Sequence, residues 1–91
     1  MAGIRFDIAE SIVKIGIVKA SGSNRGVDNG NTLEEVGIVD GLTFDGLREE
    51  IVQGALAFRY SVNPNSLDLS KDMKVFQVVD QVIDKAERIA S

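Results

Sequence analysis

Phe44, Leu47, Ile51, Ala55 and Phe58 recur at intervals of 3, 4, 4 and 3 residues. That is the period of one face of an α-helix; strand side chains instead alternate every second residue. A helix over about residues 42–58 is therefore the fixed point of any fold for this chain. Val52 and Leu56 widen its apolar face. Asp40 stands just before it as an N-cap, placed to accept from the amides of the first turn. Asp45, Glu49 and Glu50 load the first half of the helix with acid, which suits the helix dipole, and Arg48 interrupts that surface. Gly46 and Gly54 read as local costs of roughly 1 kcal/mol each against alanine.

On the N-terminal side, Ile8, Ile12 and Ile15, with Ala9 and Val13 beside them, make a two-row helical face. Asp7 and Glu10 have the spacing of a capping box at its start. The competing reading is a strand, because Val13, Ile15 and Ile17 alternate and β-branched residues are frequent. Residues 21–31 are rich in Gly, Asn, Ser and Asp and read as a flexible loop. If its flanks are strands, Asn29-Gly30 becomes a hairpin turn. The loop has neither the spacing of a phosphate loop nor that of a dinucleotide fingerprint. Asp28, Asn29 and Asn31 miss the order of a calcium loop, and Glu34 and Glu35 fall too early to close one. Thr32 and Glu35 form a second capping-box pair, and Gly37 follows as a stop.

Beyond residue 58 the only proline, Pro64, requires the helix to have ended near Asn63. Ser70 or Asp72 is placed to cap a final helix over Met73 to Ile89. Its main stripe is Met73, Phe76, Val79, Ile83, Ala86 and Ala90, with Val75, Val78, Val82 and Ile89 as a second row.

Ninety-one residues allow one domain, spanning 1–91. The chain has no cysteine and no histidine, which removes disulfides, thiol nucleophiles, imidazole bases and the usual zinc ligands together. A net charge of −4 disfavours nucleic acid and anionic membrane as partners. No apolar run reaches the roughly 18 residues of a membrane span. The first residues lack the long apolar core of a signal peptide, so the expected location is cytoplasmic.

From Thr32 onward the order of signals resembles the acyl carrier proteins. Thr32-Leu33-Glu34-Glu35-Val36-Gly37-Ile38 is similar to that family's leader. Asp40-Gly41-Leu42 is similar to its Asp-Ser-Leu attachment motif, and residues 42–58 to its acidic recognition helix. Phe58 to Pro64 then matches the turn into a short third helix, and Met73 to Ile89 the last one. The resemblance implies an all-α fold, a small four-helix bundle with a long loop after the first helix. The alternative is an α+β fold with an N-terminal β-hairpin. One departure dominates: the position that holds the phosphopantetheine serine is Gly41, which has no side chain to carry a phosphodiester. Thr43, two residues on, points elsewhere on the helix. Val39 is an extra residue beside the usual turn. Asn65-Ser66-Leu67 offers a second register, but too little chain follows it for the remaining elements.

The expectation is a non-catalytic carrier-like module with no cofactor. It would bind a protein partner bearing a basic patch through Asp45, Glu49 and Glu50. Carboxylates are present for acid–base work, but nothing in the spacing sets two of them in a cleft. The alternatives are a carrier modified at another serine, or a small structural protein that forms a homo-oligomer. In the last case the nearly continuous apolar segment Ile12 to Val18 packs between chains.

Overall fold

The computed structural model describes residues 3–22 and 26–89; the central part of the expected flexible loop, 23–25, lies outside the described residues. Helix α1 runs Phe6–Ser21, α2 Gly41–Ala57 and α3 Val75–Lys85. Short 3₁₀ turns occupy Glu34–Val36 and Pro64–Ser66, and strands β1 (Tyr60–Ser61) and β2 (Glu87–Arg88) form an antiparallel pair. The described residues thus hold three α-helices, not four, plus a small two-stranded sheet. The sheet sits after α2 and after α3, so it is not an N-terminal hairpin.

The helical reading of the N-terminal segment is the one the fold adopts. Ala9, Ile12, Val13, Gly16 and Ile17 are buried along one face of α1. The expected Asp7–Glu10 capping box does not form. Arg5 is the N-cap, Asp7 lies inside the first turn, and the Glu10 carboxylate is taken by the Asn29 side-chain amide at 2.8 Å. A long-range partner has displaced the local one.

Helices α1 and α2 pack antiparallel along a seam of small residues. Ile12 stands opposite Gly54, Gly16 opposite Glu50, and Ala20 opposite Gly46. A Cβ added at Gly54 would sit 2.9 Å from Ile12 Cγ2, and one at Gly16 would sit 3.2 Å from Glu50 Cβ. The helix glycines are therefore what lets the two backbones approach, and their propensity cost is offset across the seam. Leu47, Ile51 and Ala55 point from α2 into the core, as their period predicts, with Phe44 half-buried and Phe58 exposed. Val52 and Leu56 do not widen this face; they point away from it.

The 3₁₀ turn Glu34–Val36 is fixed by the expected Thr32–Glu35 box: Thr32 N donates to Glu35 Oε1 at 2.8 Å and Glu35 N to Thr32 Oγ1 at 3.2 Å. Gly37 ends it at φ 91°, in the left-handed region where glycine is favoured. The preceding stretch docks on the start of α3. Val75 N donates to Asn31 O at 2.8 Å and Phe76 N to Asn29 O at 3.1 Å, so loop carbonyls satisfy amides that a helix start leaves open. Neither Ser70 nor Asp72 caps α3; Lys74 is the N-cap, and its amide donates to Gln77 Oε1 at 2.8 Å.

Helix α2 stops at Ala57, within a residue of its expected end and well before Pro64, and Arg59 then turns the chain at φ 66°. Three further expectations change after α2. A fourth helix is confined to the single turn Pro64–Ser66, since Leu67 is already extended at φ −83°, ψ 119°. In α3 the buried residues are Val75, Val78 and Val82, read as the second row, together with Val79 of the main stripe, while Phe76 of that stripe is exposed and Ala90 lies outside the described residues. α3 also ends at Lys85 rather than Ile89, because Glu87 and Arg88 pair with Ser61 and Tyr60. The three helices enclose one apolar core, to which Leu33, Ile38, Val62 and Leu67 contribute from the connections.

The seam makes opposite forecasts for two similar substitutions. Gly54→Ala is expected to lower stability, since overpacking costs about 1–3 kcal/mol and Ile12 is buried with a branched carbon at the contact. Gly46→Ala places its Cβ an ordinary 3.4 Å from Ala20 Cβ. It is expected to raise stability by up to about 1 kcal/mol through helix propensity. Urea denaturation of both variants checks this, and equal effects would contradict the seam. Arg59→Gly is expected to stabilise by about 1 kcal/mol in the same assay, because it relieves a left-handed non-glycine residue.

Candidate functional site

The candidate site is the corner where the chain enters α2. Asp40 is extended and caps the helix: its Oδ1 accepts from Thr43 N at 2.9 Å. The Thr43 hydroxyl accepts from the amides of Val39, at 2.9 Å, and Asp40, at 3.0 Å. It donates toward the Asp40 carboxylate at 2.9 Å. Thr43 therefore closes a capping box in place of the usual Glu or Gln. This is why its side chain turns back toward Asp40 and why its oxygen is fully engaged. The amide bond from Thr43, followed by its hydroxyl, holds the Asp40 carboxyl below its ordinary value.

Gly41 is the first residue of α2, and a Cβ built there meets nothing within 4 Å. Leu42 beside it is 83% exposed, and Val39 is exposed as well. The corner thus presents two apolar side chains to solvent around an open backbone position. Asn65-Ser66-Leu67, the second register, is built differently. Ser66 Oγ donates to Asn63 O at 2.7 Å, and Leu67 is only 3% exposed.

The three acidic residues of α2 do not share one face. Asp45 and Glu49 lie one turn apart on the side turned away from α1, where Arg48 Nη1 sits 3.3 Å from Asp45 Oδ1. Glu50 instead faces α1, against Gly16, with Lys19 Nζ at 3.9 Å from its carboxylate. Leu42, Asp45, Glu49, Val52 and Leu56 follow a 3, 4, 3, 4 spacing, which makes one outward stripe. It is apolar at both ends and acidic in the middle. Glu49, Val52 and Arg48 also line a groove closed on its far side by Pro64 and Asn65. The sequence reading placed Val52 and Leu56 on the core face and so missed this stripe. The 3, 4, 3, 4 spacing was the available signal.

Among the described residues no group of three or more acidic side chains is arranged to hold a metal ion. No helix among the described residues is long and apolar enough to cross a membrane. No family model, curated protein or solved structure matches the chain.

The two carboxylates with displaced titration give a pH forecast. Glu10 is held below its ordinary value first by the bond from Asn29, then by the charge and hydrogen bond of Lys14, with burial opposing. Asp40 behaves likewise through Thr43. Both titrate lower in the folded chain, so on acidification the unfolded state takes up protons first. The stability they supply is present above the ordinary values, 4.5 for Glu10 and 3.8 for Asp40, and is lost as pH falls through the folded-state values. Thermal unfolding followed from neutral to acidic pH is expected to show a smaller acid-side loss in Glu10→Gln and in Asp40→Asn than in the parent chain.

Proposed function

We propose that this chain is a carrier-like helical module without the carrier's attachment chemistry, acting through protein contacts made by α2. The observation that carries the reading is the corner at Asp40-Gly41-Leu42. A capped helix start, an open Gly41 and an outward Leu42 reproduce the setting of an attachment motif while omitting the group to be modified. The hydroxyls of Thr43 and Ser66 do not replace it, since Thr43 is held in the capping box and Ser66 is bonded within its own turn.

The stripe Leu42, Asp45, Glu49, Val52 and Leu56 is the contact surface in this reading. Its ends supply apolar area and its centre supplies charge, so the partner carries a basic patch between apolar rims. Complementary charge of this kind mainly speeds and orients encounter, while the apolar ends supply the affinity. Glu50 takes no direct part, being turned toward Lys19 and α1. The module works without catalysis or cofactor. Its net charge of −4 argues against nucleic acid and anionic membrane, and the setting is cytoplasmic.

Incubation with coenzyme A and a broad-specificity phosphopantetheinyl transferase, followed by intact mass measurement, tests the reading. The parent chain is expected to stay unmodified, and Gly41→Ser to gain the mass of one phosphopantetheine group. The variant should remain folded, because the added side chain meets nothing and serine is better tolerated in a helix than glycine by a few tenths of a kcal/mol. Loading of the parent chain, at Ser66 or elsewhere, would overturn the proposal, as would a folded Gly41→Ser variant that is never modified.

A further inference from the structure

The outer face of α1 carries an arrangement that the α2 reading does not use. Within α1 only Phe6, Asp7, Ser11, Ile15 and Lys19 are exposed. The last four form a single row at intervals of four residues. Ile15, 56% exposed, is the large apolar member of that row. Asp7 sits at one end with a 70% exposed side chain and Lys19 at the other with 62%. The row therefore reads acid, small, apolar, base.

Such a row is complementary to its own antiparallel copy. About a two-fold axis between Ser11 and Ile15, Asp7 of each chain meets Lys19 of the other, and Ile15 meets Ser11. Rows at four-residue spacing on two helices interdigitate in the commonest class of helix packing, with axes crossing at about −50°. The receiving surface is already shaped for this. A groove of about 280 Å³ runs beside Ser11 between α1 and α2, lined by Ile12, Gly54, Ala57 and Phe58. Gly16 and Gly54 both lie in its lining. Ile15 of a second copy, arriving opposite Ser11, enters the mouth of that groove and covers the exposed Phe58 ring.

We infer that the outer face of α1 is a self-association surface, and that its occupant is a second copy of this chain docked antiparallel through Asp7, Ser11, Ile15 and Lys19. The inference goes beyond the proposal for α2 and shares no residue with its stripe, so either can fail alone. The two end pairs are the strongest part of the argument, because a row with like charges at its ends would repel its copy. In the free chain Asp7 lies 3.6 Å from Arg5 and Lys19 lies 3.9 Å from Glu50. The first pair is exposed, and the second, with Glu50 half-buried, is near the limit of contact, so re-pairing across the axis costs little. A contact confined to one helix face and one groove falls at the small end of specific interfaces, so the dimer is weak and reversible.

Sedimentation velocity of the intact chain from about 10 µM to about 1 mM tests the inference, since a contact this small has a dissociation constant near the micromolar range or above. The expected result is a reversible monomer–dimer equilibrium. Ile15→Glu and Ser11→Arg each weaken it at least about tenfold, equivalent to about 1.4 kcal/mol. Asp7→Lys and Lys19→Glu alone each weaken it, and the double reversal restores it. All these positions are exposed, and circular dichroism of each variant checks that the helices persist. A monomer throughout the range would overturn the inference. So would a dimer indifferent to Ile15→Glu and Ser11→Arg, which would place the contact on another face. Single reversals that match the double one would overturn the charge pairing.

Discussion

The close approach of α1 and α2 is the contact on which the rest of this fold depends. It is made possible by atoms that are missing. With no side chain at Gly16, Gly46 or Gly54, the helix backbones come near enough for Ile12 to rest directly on the α2 backbone. That contact sets the depth at which Leu47, Ile51 and Ala55 enter the core. It also fixes which side of α2 is left outside. The stripe from Leu42 to Leu56 faces solvent because the opposite surface is committed to α1 and the core. The apolar groove beside Ser11 runs along the same pair of helices, with Gly16 and Gly54 in its lining.

Around that pair the remaining parts are held by backbone bonds more than by apolar mass. The segment 29–34 lies along the start of α3, and carbonyls of Asn29 and Asn31 take the place of a side-chain cap. The pairing of β1 with β2 ties the end of α2 to the end of α3. Both devices join parts of the chain that are distant in sequence. For a domain of this size, with a modest core, such ties restrict the ways in which the third helix can slide.

Much of the framework was legible in the sequence because its causes are local. The 3, 4, 4, 3 spacing of Phe44 to Phe58, the Asp40 cap, the Thr32–Glu35 box and the Gly37 stop each depend on a few adjacent residues, and each appears in the structure. What was not legible is what depends on distant partners. Glu10 left its capping box for Asn29, and the cap of α3 came from the loop. The face of α3 was misread because Val75, Val78 and Val82 make a row as apolar as that of Phe76, so pattern alone gave no preference. Strands of two residues carry no alternation to detect. The glycines of the seam looked like isolated costs, since nothing local shows that Ile12 would fill the space above Gly54. At the candidate site the Asp40 cap was legible because it depends on adjacent residues alone. The grouping of Asp45 and Glu49 apart from Glu50 follows from helix geometry, but the three were read together as one acidic surface interrupted by Arg48.

In the proposed function the start of α2 at Asp40-Gly41-Leu42 is exposed for contact and not for loading. That picture requires α2 to be turned as described, with its seam on α1 and Leu42 free. A nuclear Overhauser spectrum of the methyl-labelled chain measures this most directly. The account predicts strong cross-peaks between the Ile12 γ2 methyl and the Gly54 α protons and between the Ala20 methyl and Gly46. It predicts none from the Leu42 methyls to α1 or α3. Cross-peaks from Leu42 into the core, or no contact between Ile12 and Gly54, would contradict it.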